Sequence, residues 1–126
     1  MATIDKKILI VEDDKSFLWI LKQSFESEGF SVILAPDGEA GLDMAEKEKP
    51  DLILADILMP KMDGITMGKK LKEKNIPSQI IFLTNLKDVD HINNAVELGK
   101  ETDYIIKSDV HVDQIIDMAK KRLGLK

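Results

Sequence analysis

The sequence has no cysteine, which excludes disulfides, thiolate nucleophiles and zinc–thiolate sites. No apolar run approaches the roughly 20 residues that a bilayer span requires. The N-terminus lacks the apolar segment of a secretory signal, so the expected location is cytoplasmic. Positive charge is not in excess: the net charge of −5 offers no electrostatic footprint for nucleic acid or an anionic membrane. The two histidines, His91 and His111, have no carboxylate or cysteine at metal-ligand spacing and read as surface residues. Internal repeats, low-complexity segments and linkers are also absent. What remains is ordinary for a globular protein, with 44% hydrophobic and 33% charged residues. A chain of 126 residues is long enough for one core and too short for two, so residues 1–126 are expected to form one domain.

Strand and helix signals alternate along the chain. Lys7–Val11 (KILIV) is a short apolar run of the kind buried on both faces of a parallel sheet, and it ends in Glu12, Asp13 and Asp14. Lys15 to Glu28 has helical periodicity, with Phe17, Leu18, Leu21 and Phe25 on one face, and Gly29 stops it. Ser31–Ala35 is a second strand, followed by the turn Pro36-Asp37-Gly38 and a helix from Glu39 to Lys49 that Pro50 cannot continue. Leu52–Ala55 is a third strand and carries Asp56 at its C-terminal end. Pro60 and a turn at Asp63-Gly64 separate it from a helix over Ile65 to Lys74, with Ile65, Gly68 and Leu71 inward. Gln79–Leu83 is the fourth strand, stopping at Thr84, and Asp88 to Leu98 reads as a helix closed by Gly99. Tyr104–Ile106 is the fifth strand, ending at Lys107, and the last helix runs from about Asp109 to Leu123. Five strand–helix units in strict alternation, (βα)5, call for an α/β fold: a doubly wound, five-stranded parallel sheet in the flavodoxin-like order 2-1-3-4-5.

In such a sheet every strand C-terminus converges on one edge, where open α/β folds place their ligands. The edge here collects Glu12, Asp13 and Asp14 from the first strand, Asp56 from the third, Thr84 from the fourth and Lys107 from the fifth. Clustered carboxylates repel one another unless a cation sits among them. Oxygen ligands without His or Cys suit a hard ion such as Mg²⁺. With that ion bound, one carboxylate is left to attack phosphorus and form an acyl phosphate. The equatorial oxygens of the transferring group need cationic or hydrogen-bonding partners, and Lys107 and the Thr84 hydroxyl supply them. The parts match phosphoryl transfer to Asp56.

The segments VEDD (11–14), DILMP (56–60), Asp63-Gly64, Thr84 and Tyr104-Ile-Ile-Lys107 stand in the order and spacing of the receiver domains of two-component response regulators, which the chain resembles over essentially its whole length. The resemblance implies that Asp56 is the phosphoacceptor, charged by a sensor histidine kinase or a phosphotransfer protein. It implies that Asp13 binds Mg²⁺ directly, Glu12 through water and Leu58 through its backbone carbonyl. Lys107 would contact the phosphoryl oxygens, Thr84 would move to bond one of them, and Tyr104 would rotate as Thr84 moves. Taken without the resemblance, Tyr104 reads as a half-buried core aromatic. The surface made by the fourth predicted helix, the fifth strand and the last helix would then change its affinity for an output protein, with homodimerisation on phosphorylation left open. Such a protein is a phosphorylation switch with self-catalysed phosphotransfer rather than an enzyme.

Several positions depart from the family pattern. Asn85 follows the switch hydroxyl where a very small residue is usual, which narrows the path to the acceptor. Ser108 follows the lysine where proline is usual. Leu58 and Leu86, two residues after Asp56 and Thr84, cannot orient a hydrolytic water, so the phospho-form is expected to hydrolyse slowly. Trp19 lies opposite the Phe17–Leu21–Phe25 stripe; it is either a contact for the kinase bundle or a ring lying over a neighbouring helix. Met59, Met62 and Met67 read as loop and core filler, and Lys69, Lys70, Lys72 and Lys74 as a solvated helix face.

Other readings remain to be weighed. A receiver-like docking module with slow or lost phosphorylation fits Asn85 and Ser108. A haloacid-dehalogenase-type phosphatase needs a second Asp at the position of Leu58, and a flavodoxin needs a phosphate loop after the first strand. A DNA-binding regulator would need a further basic domain beyond Lys126.

Overall fold

The computed structural model describes residues 3–84, 103–107 and 110–125. Its strands are β1 (Lys7–Val11), β2 (Ser31–Ala35), β3 (Leu52–Asp56), β4 (Gln79–Thr84) and β5 (Asp103–Ile106). The helices among the described residues are α1 (Lys15–Ser27), α2 (Gly38–Glu48), α3 (Gly64–Glu73) and α4 (Val112–Arg122). The strands form one sheet in the order β2-β1-β3-β4-β5, and every neighbouring pair is parallel.

The apolar runs explain this arrangement. Successive side chains of a strand point to opposite faces, so a strand apolar at every position must be covered on both. Ile8 and Ile10 of β1 face one way, with Leu52, Leu54, Ile81, Leu83 and Ile105, and pack under Leu21 and Phe25 of α1 and Ile115, Ile116 and Ala119 of α4. Leu9 and Val11 face the other way, with Ile53, Ala55 and Phe82, under Leu42 and Ala45 of α2 and Ile65, Met67 and Leu71 of α3. Each fully buried aliphatic side chain of this kind contributes roughly 1.5–3 kcal/mol of transfer free energy. The helices that cover the first face thus start and finish the chain, and those that cover the second lie between.

Three helix starts carry aspartate side-chain caps, and Asp37 before α2 accepts from the Ala40 amide at 2.8 Å. Asp14 precedes α1 and accepts from the Ser16 and Phe17 amides at 3.0 and 3.2 Å. Asp63 precedes α3 and accepts from the Thr66 amide at 2.7 Å, so Asp63-Gly64 opens a helix rather than forming a separate turn. Lys49 closes α2 in the left-handed region (φ 46°), just before Pro50.

Most helix ends and the start of β5 fall one residue from the sequence expectation, and three boundaries have a clear physical cause. β3 and β4 each run one residue further, because Asp56 pairs with Leu83 and Thr84 with Ile106 in the ladder. The last helix starts at Val112 rather than Asp109, with His111 at its cap position donating its amide to Gln114 Oε1 at 2.8 Å. His111 is therefore a helix-start residue, a role invisible to a search for metal-ligand spacing. The helix expected at 88–98, together with positions 85, 86, 91 and 108, lies outside the described residues.

Candidate functional site

The C-terminal edge of β1 sets the first half of the site. The Glu12 amide donates to the Ala35 carbonyl at 3.1 Å, continuing the β1–β2 ladder past Val11, and this carries the Glu12 side chain into the interior with no solvent exposure. Asp13, one residue on, faces solvent, and Asp14 is used up as the α1 cap. Asp56 closes β3 and is 5% exposed; Thr84 closes β4 and is fully buried. Those are the described residues that are both buried and polar or charged, Glu12 with them.

Lys107 follows β5 and reaches across the edge. Its Nζ lies 2.8 and 3.0 Å from the two Glu12 carboxylate oxygens and 2.9 Å from Asp56 Oδ2. One ammonium thus bridges two buried carboxylates with three short charged hydrogen bonds. On another side the ammonium stands 5.1 Å from the centroid of the Phe17 ring. Burial opposes the Lys107 charge, but the hydrogen bonds and charges of Glu12 and Asp56 outweigh it and hold its pKa above the ordinary lysine value. Glu12 is pushed up to about 7, chiefly by burial and further by the Asp56 charge, against the opposing pull of Lys107. The site therefore holds more negative charge in a dry place than one lysine neutralises.

Carboxylate oxygens of Glu12, Asp13 and Asp56 all lie within 4.8 Å of one another. This is an oxygen-only donor set with one solvent-facing member, which fits a hard divalent cation that retains waters. The loop behind Asp56 is tightly built. The Gly64 amide donates to the Ile57 carbonyl at 2.7 Å, and a Cβ at Gly64 would lie 2.2 Å from the Asp56 carbonyl oxygen. A Cβ at Gly38, where α2 starts, would lie 2.0 Å from the Met62 carbonyl oxygen. Lys61 adopts a left-handed φ of 68° between these contacts.

The sheet brings Glu12, Asp13, Asp56, Thr84 and Lys107 to one edge, as their positions at the strand ends require. Leu58 stands exposed in the loop after β3. Tyr104 is half-buried on the α2–α3 face, its ring stacked on Phe82 at 6.3 Å between centroids and 23° between planes. Its burial raises its pKa. Trp19 is 59% exposed with Lys22 Nζ 4.9 Å from its ring centroid, and Ile20 beside it is also exposed. The sequence places Phe17 only in the apolar stripe of α1. Its contact with Lys107 joins residues 90 positions apart, and no local signal announces it.

A doubly wound parallel sheet with an acidic cluster and one lysine at its C-terminal edge defines a class of α/β domains whose charged site lies at the carboxyl ends of the strands. Comparison with known proteins narrows the class. The profile of the response regulator receiver domain matches residues 8–120. The chain belongs to the response regulator receiver domain family. It is 37% identical to sporulation initiation phosphotransferase F of Bacillus subtilis over 98% of both chains. It is 40% identical to alkaline phosphatase synthesis transcriptional regulatory protein PhoP of the same organism over 82% of this chain, and it spans 43% of that longer protein. Among solved structures it superposes on a CheY-like response regulator receiver domain protein from Methanospirillum hungatei with a TM-score of 0.86 and 30% identity, covering 94% of each chain. Among the described residues no helix is long and apolar enough to cross a membrane.

Proposed function

We propose that the protein is a phosphoacceptor switch, in which a phosphoryl group passes from a histidine of a sensor kinase or phosphotransfer protein to Asp56. The observation that carries this reading is the Lys107 ammonium, bridging Glu12 and Asp56 at 2.8–3.0 Å beside a carboxylate set that a divalent cation fits. In the transfer, an Asp56 carboxylate oxygen forms a bond to phosphorus as the bond to the donor breaks, and the donor leaves with the electron pair. Lys107 turns N–H bonds from the Asp56 carboxylate to the phosphoryl oxygens, where negative charge gathers. Thr84, one residue past the partner of Asp56 in the β3–β4 register, supplies a hydroxyl to the same group. Glu12, Asp13 and Asp56, with the Leu58 carbonyl, would hold Mg²⁺. The ion would offset the excess negative charge at the edge and the charge of the incoming phosphoryl group.

Movement of Thr84 is read out through Tyr104 by the surface of the predicted fourth helix, β5 and α4, which an output protein recognises. Trp19, exposed on α1, is a contact for the kinase bundle. In this reading the protein acts in the cytoplasm. The absence of a polar side chain at Leu58 supports slow hydrolysis of the phospho-form. The docking-module reading keeps the same surfaces and drops the chemistry.

The deciding experiment is intact mass after incubation with acetyl phosphate and Mg²⁺, beside an Asp56→Asn control. A gain of one phosphoryl mass, lost in the control and without Mg²⁺, is expected. No gain with either acetyl phosphate or a charged histidine donor would refute the acceptor role and leave the docking module.

A further inference from the structure

We propose that Phe17 is a positioning residue for phosphoryl transfer: its ring holds the Lys107 ammonium over the acceptor while leaving the hydrogen bonds of that ammonium free to change partner. The inference rests on the acceptor role proposed for Asp56.

The Lys107 ammonium has three N–H donors, and three carboxylate oxygens stand within 3.0 Å of it, two on Glu12 and one on Asp56. The two Glu12 oxygens belong to one carboxylate and subtend a narrow angle at the nitrogen, so Glu12 and Asp56 engage donors on the carboxylate side. The Phe17 ring, with its centroid 5.1 Å from the nitrogen, adds attraction without consuming a donor, because the negative face of the ring acts on the charge as a whole. This difference matters for function. A third carboxylate in place of the ring would compete for N–H bonds and resist their transfer to phosphoryl oxygens. A leucine would fill the space and leave the ammonium without that attraction. A ring restrains where the nitrogen sits and not which way its protons point.

The chain also fixes where the ring stands. Phe17 lies in the first turn of α1, and its amide is one of the two held by the Asp14 carboxylate, at 3.2 Å. One turn and two turns on, Leu21 and Phe25 anchor the helix in the core. The ring is thus carried by a helix start that the acidic stretch beside Glu12 and Asp13 itself caps. The Lys107 side chain is only 17% exposed, so the attraction acts in a partly desolvated place.

The test compares wild type, Phe17→Leu and Phe17→Tyr as full chains. The rate of phosphoryl uptake from acetyl phosphate with Mg²⁺ is followed by intact mass. In this reaction acetate leaves as the Asp56 oxygen–phosphorus bond forms. Removing a cation–π contact of this burial predicts uptake about threefold to tenfold slower in Phe17→Leu, and Phe17→Tyr within about twofold of wild type. The Lys107 ε-methylene proton resonances, shifted upfield by the ring current in wild type and Phe17→Tyr, move to ordinary lysine values in Phe17→Leu. Equal slowing of both variants would show that Phe17 matters for packing alone and would overturn the proposal. So would unchanged uptake in Phe17→Leu, or no ring-current shift on Lys107 in wild type. Wild type that takes up no phosphoryl group from acetyl phosphate or from a charged histidine donor refutes the acceptor role itself, a result distinct from uptake that Phe17→Leu leaves untouched.

Discussion

Replacing Glu12 by Gln in Mg²⁺-free protein should change how stability depends on pH. Glu12 is fully buried, and its pKa in the folded protein is pushed up to about 7 from an ordinary 4.5, first by burial and then by Asp56, with Lys107 opposing. Below 4.5 the folded and unfolded chains both carry the proton. Between 4.5 and 7 the folded chain keeps it and the unfolded chain does not, so this group's contribution to stability is complete below 4.5 and is lost as pH rises through about 7. Each pH unit in that interval is about 1.4 kcal/mol, and the whole interval is about 3 kcal/mol. Gln has no proton to lose. The stability of wild type minus that of Glu12→Gln should therefore fall by about 3 kcal/mol between pH 4.5 and pH 8. Urea unfolding of both proteins in EDTA at several pH values measures it, and the subtraction removes the carboxylates remote from Glu12. Adding Mg²⁺ at about ten times its dissociation constant at pH 8 should restore about 1.4 kcal/mol to wild type and less to the variant. A difference that stays constant across this range, or moves in favour of wild type as pH rises, would refute the account of Glu12 as a carboxylate held in a dry, over-negative site.

The remaining expectations concern the frame around the acceptor. Gly64→Ala places a Cβ 2.2 Å from the Asp56 carbonyl oxygen, so it should destabilise by about 1–3 kcal/mol in urea and weaken Mg²⁺ binding measured by calorimetry. Unchanged Mg²⁺ affinity would show that the strain is relieved away from the site. Asp14→Ala removes two cap hydrogen bonds to α1 and should cost about 1 kcal/mol, read from the urea midpoint. Trp19→Ala should leave stability within about 0.5 kcal/mol, since the ring is exposed, and should slow phosphotransfer from the cognate kinase; an unaltered transfer rate would remove Trp19 from the kinase contact. With Leu58 beside the acceptor, phospho-Asp56 should persist for minutes or longer without a phosphatase, and decay within seconds would show that some other group orients the hydrolytic water.

Much of the fold was legible in the residues themselves. The runs KILIV and LILAD are apolar at nearly every position, which is compatible with a strand only when both faces are covered, and that condition selects the doubly wound sheet. The strand ends were legible for the same reason: Glu12, Asp56, Thr84 and Lys107 each interrupt or follow such a run, and parallel strands bring their C-termini to one edge. Boundaries were less so. Asp56 and Thr84 belong to their strands because ladder pairing with neighbours continues through them, and pairing is a property of two strands rather than one. His111 at the start of α4 was missed because its role comes from its amide, which donates to Gln114.

The sequence by itself determined the order of the described elements, the sheet order and the set of polar side chains at its edge, because side-chain periodicity and the handedness of crossovers are local physics. Only the tertiary structure decided how those side chains divide their work. Lys107 meets Glu12 across 95 residues, Phe17 stands against the lysine, and Gly64 lies flush against the Asp56 backbone. Contacts of that kind depend on where a helix start and two loops sit relative to the sheet to within an ångström, and no periodicity along one chain segment encodes such a distance.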